Sequence, residues 1–380
     1  MLGAHSINHM AGGLNPSHGI RRIASAFRCL WGNRRYITPL KALNIAAVRL
    51  QECLGTEFVL GRPYSAMIEP TNVCNTNCQL CPTGEHRPGR AKGFMTWDLY
   101  RRFIDDNSRW LYVLVLYMWG DPLIAKYIYQ MINYAHRAGI WTGVSSNLHS
   151  FCPESGDAVT MIESGLDELI CSLHAASQKT FEIYQPGKSF QSAVAKIRSF
   201  VQIRDSLGKK RPKVCAHFVV TRFNEHEIPE FRKLAQELRC ECAFSTPSLN
   251  VRFLSGREPG EARRDSVLKR IEKWLPTDPA YVHPLYLAIR DGQLDIDRLD
   301  AFNGRKPFQC VWPWRKTIIN WDGTVGPCCG AWNESDSLGD ISREPLARVW
   351  NNVKYRAARR SFKRPTDVDV PCARCPGILL

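Results

Sequence analysis

The chain has 380 residues, 44% of them apolar, and carries a formal net charge of +15 at pH 7. This length allows one large domain and a smaller one, and no uncharged apolar run reaches the roughly 18 residues that a membrane-spanning helix needs. The positive charge favours acidic partners, such as phosphates, nucleic acid, an anionic membrane or an acidic peptide, without choosing among them.

Residues 1–61 form a basic N-terminal extension, in which the first 51 residues include seven Lys or Arg and no Asp or Glu. Within it, the apolar pattern of Pro39–Leu54 predicts a helix. We expect this helix to pack on the domain that follows. A transit peptide and a helix lying on a membrane surface are the alternatives.

Residues 62–250 alternate short apolar strands with amphipathic helices. The predicted strands are 65–69, 111–118, 140–146, 168–173, 214–221 and 241–245, and the predicted helices are 97–106, 123–138, 157–164, 189–207 and 228–238. Apolar strands separated by helices predict a parallel sheet. Six such units predict an α/β fold of the partial or full barrel type, with functional residues at the C-terminal ends of the strands.

Three cysteines follow the first predicted strand at the spacing C-x3-C-x2-C: Cys74, Cys78 and Cys81. Three thiolates can hold three irons of a [4Fe–4S] cube and leave the fourth iron open to another ligand. A zinc site with His86 as the fourth ligand remains open on the evidence of this loop alone.

This loop and the preceding segment Ile68-Glu69-Pro70-Thr71-Asn72-Val73 resemble the radical S-adenosylmethionine (SAM) superfamily. The resemblance implies a partial (β/α)6 TIM-like barrel that binds SAM at the open iron. It also implies cleavage of SAM to a 5′-deoxyadenosyl radical, which takes a hydrogen atom from the substrate. The residue before the third cysteine is often aromatic in this family; here it is Leu80, which we expect on the adenine side.

The ends of the next strands are also similar to family motifs. Gly120-Asp121-Pro122 resembles a Gly-Glu-Pro motif that meets the SAM amino group, although Asp is one methylene shorter than Glu. Glycine allows a close approach, and an acid can pair with an ammonium group. Ser145-Ser146-Asn147 resembles a segment that faces the SAM ribose or carboxylate.

Three further candidates lie at the ends of the fourth and fifth strands. The segment Cys171-Ser172-Leu173-His174 is similar to one that touches the ribose or the reaction space, which makes Ser172 and His174 candidates, with a structural role as the alternative for the histidine. Arg222 follows the fifth strand and is a candidate partner for a carboxylate, with a solvated surface arginine as the alternative.

Residues 251–300 are predicted to be a connecting helical segment, and residues 301–380 a small cysteine-rich module of a hairpin and a helix. Cys310 and Cys328 form the pattern C-x12-G-x4-C around Asp322-Gly323, a strong hairpin signal. Cys372 and Cys375 follow near the end of the sequence. Four thiolates can bind a cluster or zinc.

This layout resembles the SPASM/twitch extension of radical SAM enzymes, which implies an auxiliary [4Fe–4S] cluster. The full SPASM pattern carries more cysteines and two clusters, so we expect one here. Cys329, next to Cys328, is either a spare thiol or a ligand.

The resemblance therefore implies a radical SAM oxidoreductase-type enzyme that acts on a small-molecule or peptide substrate in natural-product or cofactor biosynthesis. Oxidation, cross-linking, epimerisation and rearrangement all remain open. The expected electron donor is a flavodoxin- or ferredoxin-type protein.

Nucleic acid is not expected as a partner, whereas peripheral membrane contact is compatible with the basic N-terminus. The alternatives are modification of RNA or a membrane lipid, and a non-catalytic iron–sulfur or zinc protein. Fifteen cysteines without a signal peptide indicate a reducing compartment, and we expect a cytoplasmic protein, with attachment to a membrane surface left open.

Overall fold

A computed structural model describes residues 34–250, 261–293 and 310–375, with the side chains of 261–263 excepted. Parts of three predicted segments, 1–61, 251–300 and 301–380, therefore lie outside the described residues. The boundaries proposed between these segments remain predictions.

Nine strands form one sheet in the order β6-β5-β4-β3-β2-β1-β7-β8-β9. The strands are β1 Ser65–Ile68, β2 Val113–Leu116, β3 Trp141–Ser146, β4 Glu168–Ser172, β5 Lys213–Val219, β6 Glu241–Ser245, β7 Lys316–Ile319, β8 Thr324–Gly326 and β9 Gly339–Asp340. Strands β1 to β6 are parallel and neighbour one another in chain order, as the sequence predicts. The α/β class with a parallel sheet is therefore confirmed.

The C-terminal hairpin continues this sheet. Strand β7 pairs in parallel with β1, and β8 and β9 follow as antiparallel strands. The cysteine-rich module is thus joined to the barrel by backbone hydrogen bonds.

Helices connect the parallel strands and cover one face of the sheet. In the described part of the chain the helices are α1 Pro39–Leu54, α2 Trp97–Asn107, α3 Ile128–Arg137, α4 Asp157–Glu163, α5 Gln178–Tyr184, α6 Phe190–Ser206, α7 Ile228–Glu237, α8 Glu261–Trp274, α9 Pro284–Arg290, α10 Trp312–Arg315, α11 Leu346–Val349 and α12 Val353–Arg360. Helix α3 begins five residues later than predicted, because Asp121 caps a separate 3-10 turn at Pro122–Ile124.

The two faces of the sheet have different surroundings. On the outer face, Leu114, Val144 and Leu169 are buried in the main core against the helices. On the inner face, Ser145 and His217 are only half-buried although they lie on interior strands. The inside of the partial barrel is therefore partly open near the C-terminal ends of its strands.

The N-terminal extension closes the opposite end of the barrel. Tyr36 is buried with Tyr112 and Trp141, and its hydroxyl donates to both carboxylate oxygens of Asp167 at 2.7 and 2.8 Å. Arg211 donates to the same carboxylate at 2.7 Å. The partners of Tyr36 lie at the starts of strands: Tyr112 precedes β2, Trp141 begins β3 and Asp167 precedes β4. The closed end of the barrel is therefore the N-terminal end of the strands.

Candidate functional site

The first cysteine loop follows β1 at the open end of the barrel. The hydroxyl of Thr76 lies 3.1 Å from the Cys74 Sγ and 3.4 Å from the Cys78 Sγ. The backbone amide of Cys81 donates to the Cys78 carbonyl at 3.2 Å, which closes the turn. The three cysteines therefore belong to one compact loop, as their spacing predicts.

Glycine allows the end of this loop to fold back on itself. A Cβ atom at Gly84 would lie 2.4 and 2.5 Å from the carbonyl oxygen and the amide nitrogen of Cys78, distances that no side chain tolerates. Burial raises the pKa of the Cys78 and Cys81 thiols. Both cysteines are half-buried, so their thiols are partly shielded from water.

Leu80 faces the connecting helices. It is 5% exposed and packs in an apolar cluster with Leu249, Ile271 and Tyr286, while its carbonyl accepts from the Asn250 side chain at 2.6 Å. A contact between Leu80 and an adenine would require the side chain to leave this cluster, so that contact remains a prediction.

Gly120 and Asp121 brace the start of the cysteine loop. A Cβ atom at Gly120 would lie 2.3 Å from the Thr71 carbonyl oxygen and 2.6 Å from that of Val73. The amide of Asp121 donates to the same Val73 carbonyl at 3.0 Å. The glycine therefore allows two backbone segments to meet just before Cys74.

The carboxylate of Asp121 is fully engaged inside the protein. It accepts from the Ser146 hydroxyl at 2.9 and 3.0 Å, from the Asn147 amide at 2.8 Å and from the Leu123 amide at 2.9 Å. Although these donors favour its charged form, burial has the larger effect and raises the pKa of Asp121. A contact with the SAM amino group would have to compete with these hydrogen bonds.

Asn147 connects the end of β3 to the cysteine loop. Its side-chain nitrogen, Nδ2, donates to Asn75 Oδ1 at 2.9 Å and lies 3.6 Å from the Cys74 Sγ. Asp121 holds the backbone of Asn147, so the acid, the amide and the first cysteine form one connected set.

Replacement of Asp121 by asparagine is expected to break this connection. The amide can accept at only one oxygen, and its NH2 group would face other donors, so we expect the free energy of unfolding to fall by about 2–3 kcal/mol. Urea denaturation measures this change. The surface substitution Asp291→Asn is the control, because exposed ion pairs contribute little; equal stability of the two variants would contradict the bracing role.

Ser145 and Ser172 lie side by side on the inner face, with their hydroxyl oxygens 3.3 Å apart. Both are half-buried, so two hydroxyl groups face the partly open interior. The carbonyl of Ser172 accepts from the Gln185 side chain at 3.0 Å, which fixes the end of β4.

His174 joins two strands. Its Nδ1 accepts from the Val219 amide at 3.1 Å, and its carbonyl accepts from the Asn224 side chain at 2.8 Å. Burial, with a smaller effect of the neighbouring His217, lowers the pKa of His174 well below its usual value, so the ring is neutral. These contacts favour the structural alternative.

Arg222 is exposed beyond the end of β5. Its Nε donates to the Leu275 carbonyl at 3.3 Å, and its amide donates to the Trp274 carbonyl at 3.1 Å. The described contacts of Arg222 therefore attach it to the connecting segment.

The second set of cysteines lies beside the hairpin. Cys310 precedes α10, Cys328 follows β8, and the amide of Cys375 donates to the Cys372 carbonyl at 3.3 Å. Burial raises the pKa of the Cys310 and Cys328 thiols, and the other cysteines of the set raise it further. Because these residues influence one another electrostatically, four thiolates here would repel one another unless a cation lay among them.

Cys329 lies close to the predicted set, since it too raises the pKa of the Cys310 and Cys328 thiols. Burial raises the pKa of its thiol, while the nearby Lys316 ammonium lowers it. Lys316 itself lies over the Trp312 ring, with Nζ 4.5 Å from the ring centroid, and burial lowers its pKa to about 8. Cys329 is thus near a half-buried cation on the inner face of β7.

Comparison with known proteins identifies the family. The profile of the radical SAM superfamily matches residues 68–235, and that of an iron–sulfur cluster-binding domain, SPASM, matches residues 310–376. The chain is a radical SAM protein with a C-terminal SPASM module. Members of this superfamily use a [4Fe–4S] cluster and SAM, and SPASM modules hold auxiliary iron–sulfur clusters.

Individual relatives are distant. The chain is 21% identical over 321 residues to the tungsten-containing aldehyde ferredoxin oxidoreductase cofactor-modifying protein of Pyrococcus furiosus, which covers 80% of this chain and 85% of that protein. The fold is similar to Streptococcus suis SuiB bound to the precursor peptide SuiA, with a TM-score of 0.59 and 14% identity over 89% of this chain and 73% of SuiB. It is also similar to anSMEcpe with bound AdoMet, with a TM-score of 0.51 and 13% identity over 77% and 82% of the two chains.

The residues of this radical SAM protein fit iron–sulfur clusters. Within residues 34–250, 264–293 and 310–375, no three His, Cys, Asp or Glu side chains converge as the ligands of a single ion do. A [4Fe–4S] cube makes a different demand, since each thiolate binds its own iron. The half-buried thiols of the first loop, and the second set of cysteines beside the hairpin, are ligands of the kind that such a cube takes.

Sequence reasoning assigned no role to two residues at the first site. The hydroxyl of Thr76 lies between two cysteine thiols, and its position inside the cysteine motif could have pointed to it. Tyr184 accepts from the Gln79 amide at 3.1 Å through its carbonyl, and its ring lies 4.9 Å from that of His174. It belongs to α5, a helix too short to show a clear apolar pattern.

Proposed function

We propose that this radical SAM enzyme abstracts a hydrogen atom from a small-molecule or peptide substrate held at the open end of the barrel. The observation that carries the proposal is the set formed by Asp121, Asn147 and Cys74, which joins two strand ends to the first cysteine loop. Polar groups of three different strand-to-helix segments meet there, as expected for a site at the C-terminal face of a barrel.

The first cluster is assigned to Cys74, Cys78 and Cys81, which leave one iron without a protein ligand. When bound, the cluster and SAM supply a reductive cleavage that yields a 5′-deoxyadenosyl radical. The protein contributes the shape and polarity of the site: Asp121 and Asn147 position the loop, and the half-buried cysteines are partly shielded from water.

Further contacts with SAM are assigned by family resemblance together with position. The hydroxyls of Ser145 and Ser172 face the interior and suit a ribose diol. Gly120 lies against the segment before Cys74, and Ser146 donates to Asp121. His174, Arg222 and Leu80 complete the proposed set, although their described contacts are with the protein itself.

The auxiliary cluster is assigned to Cys310, Cys328, Cys372 and Cys375. When bound there, the cluster would supply an electron acceptor for an oxidation or a cross-link, or a rigid element beside the substrate for a redox-neutral reaction. The electron donor in our proposal is a flavodoxin- or ferredoxin-type protein, whose acidic surface would match the positive charge of this chain.

The substrate proposal rests on relatives and on the interior of the barrel. SuiB has been solved with a precursor peptide, and the Pyrococcus furiosus relative is named for modification of a cofactor. Half-buried Tyr117, Ser145 and His217 line the interior of this chain. A substrate with hydrogen-bonding groups therefore fits better than a purely apolar one.

The test is to purify the full chain without oxygen, load it with iron and sulfide, and incubate it with SAM and a reductant. We expect about eight irons per chain for two cubes and formation of 5′-deoxyadenosine. Cys372→Ala should lose about four of these irons while SAM cleavage continues. Fully loaded wild-type protein that forms no 5′-deoxyadenosine would contradict the proposed function.

A further inference from the structure

Helix α1 turns its leucines towards solvent. Leu40, Leu43, Leu50 and Leu54 are 43%, 69%, 61% and 59% exposed. Because a helix advances by about 100° per residue, these four positions lie within an arc of about 80°. They form one continuous stripe instead of isolated exposed residues.

The side of α1 that meets the protein carries polar residues, Lys41 and Asn44, beside the buried Val48. Lys41 is 3% exposed and its Nζ donates to the Gly139 carbonyl at 2.6 Å. The Asn44 side chain donates to the Arg62 carbonyl at 3.0 Å and accepts from the Arg62 amide at 2.8 Å. A surface helix usually buries its apolar side, but α1 buries Val48 and leaves its leucines outside. The hydrogen bonds of Lys41 and Asn44 prevent the leucines from rotating inwards.

The segment after α1 extends the stripe. Phe58 is 52% exposed and Leu60 is 80% exposed, while Val59 between them is buried. The Val59 amide and carbonyl are both bound by the Asn351 side chain, at 3.0 and 2.8 Å. This anchor holds the two neighbouring apolar side chains outward; together with the four leucines they are called the apolar face.

Positive charge surrounds the apolar face. Arg49 is exposed on α1 itself, and Lys363 and Arg364 are exposed beside its C-terminal end, where Lys363 donates to the Leu54 carbonyl. Two acids lie nearby: Glu52 pairs with Arg315, and Glu57 is shared by Arg360 and Arg364. Five basic residues therefore stand against two acids here, which leaves a net positive charge. The 33 residues that precede the described chain add three arginines and no acid.

We propose that the apolar face docks this protein onto the surface of an anionic phospholipid membrane. Interfacial helices bury an apolar side at the headgroup boundary while basic residues meet anionic lipids. The membrane is favoured over a second copy of the chain and over residues 1–33, because either of those would bring further positive charge against a positive surface. No helix among the described residues is long and apolar enough to cross a bilayer, which fits a surface attachment.

The docking surface lies away from the chemistry. Lys41 and Tyr36 contact the segments that precede β3 and β4, at the closed end of the barrel, whereas the first cysteine loop follows β1 at the open end. Docking therefore leaves the open end clear of the lipid. For the same reason, changes to the apolar face should not affect SAM cleavage.

The test is co-sedimentation of the full, cluster-loaded chain with vesicles of phosphatidylcholine, with or without phosphatidylglycerol. We expect binding to the anionic vesicles that weakens with added salt. The double variant Leu43→Glu/Leu50→Glu should bind them at least about tenfold more weakly. The matched control is Leu207→Glu/Val353→Glu, at two apolar positions that are 43% and 68% exposed elsewhere, and it should bind as the wild type does.

Thermal denaturation and 5′-deoxyadenosine formation should be unchanged in both double variants, so that docking is tested separately from catalysis. Three results would overturn the proposal: wild-type protein that stays in solution with anionic vesicles, an unchanged affinity of Leu43→Glu/Leu50→Glu, or a dimer that this variant dissociates without any vesicle binding by the wild type. If the full chain does not bind vesicles and a chain without residues 1–33 does, these residues cover the apolar face instead.

Discussion

Replacement of Cys78 by alanine is expected to lower 5′-deoxyadenosine formation by about a thousandfold or more, since enzymes commonly accelerate reactions by a millionfold or more through such machinery. Cys78 lies in the middle of the first loop. The Thr76 hydroxyl contacts its thiol, and the Cys81 amide donates to its carbonyl. No other thiol of the described loop can replace it without displacing the turn. The measurement is anaerobic incubation with SAM and a reductant, followed by chromatography of the nucleosides.

The control for this substitution is Cys152→Ala. Cys152 is exposed and far along the chain from the loop, so its removal should leave both the iron content and the nucleoside yield unchanged. Cys78→Ala should instead lose about four irons per chain. Wild-type amounts of 5′-deoxyadenosine from Cys78→Ala would remove the basis of the proposed radical chemistry.

The second large effect is expected at Arg359, which is 0% exposed. Its guanidinium donates to the carbonyls of Pro313, Glu57 and Trp350 at 2.9, 2.9 and 2.8 Å, and lies 4.6 Å from the Trp350 ring centroid. Burial lowers the pKa of Arg359 to about 9, so the group stays charged at neutral pH. One side chain thus ties the segment after α1 to the C-terminal module.

Arg359→Ala leaves three buried carbonyl groups without this donor, and we expect the free energy of unfolding to fall by about 3–5 kcal/mol. Arg359→Lys should recover only part of this loss, because a single ammonium group cannot reach three separate carbonyls as a planar guanidinium does. Urea denaturation under anaerobic conditions measures both. Arg356→Ala, at an exposed position of the same helix, should have little effect, and equal stability of Arg356→Ala and Arg359→Ala would refute the structural role.

The parallel strands could be predicted because each is a short apolar run between helices, so burial on both faces is visible in the local sequence. The polar residues at their ends could be placed at one edge of the sheet for the same reason. The direction in which a side chain points could not be predicted. Nothing near Asp121 in the sequence shows that its carboxylate turns towards Ser146 and Asn147.

Contacts between distant parts of the chain could not be predicted from the sequence either. The turn at Asp322-Gly323 predicts a hairpin, but a local pattern cannot show that β7 lies beside β1, some 250 residues earlier in the chain. The helix at Pro39–Leu54 was visible as an apolar pattern, whereas the exposure of its leucines depends on Lys41 and Asn44 finding carbonyl partners in distant segments. Contacts of this kind depend on the assembled fold.

The pairing of β1 with both β2 and β7 has a consequence for how this protein can be divided. If the chain were cut before Cys310, the strand that leads to the first cysteines would become an unprotected edge, with free amide and carbonyl groups ready to recruit other molecules. The auxiliary module therefore completes the sheet of the catalytic domain. A fragment that ends before this module is expected to aggregate and to lack activity.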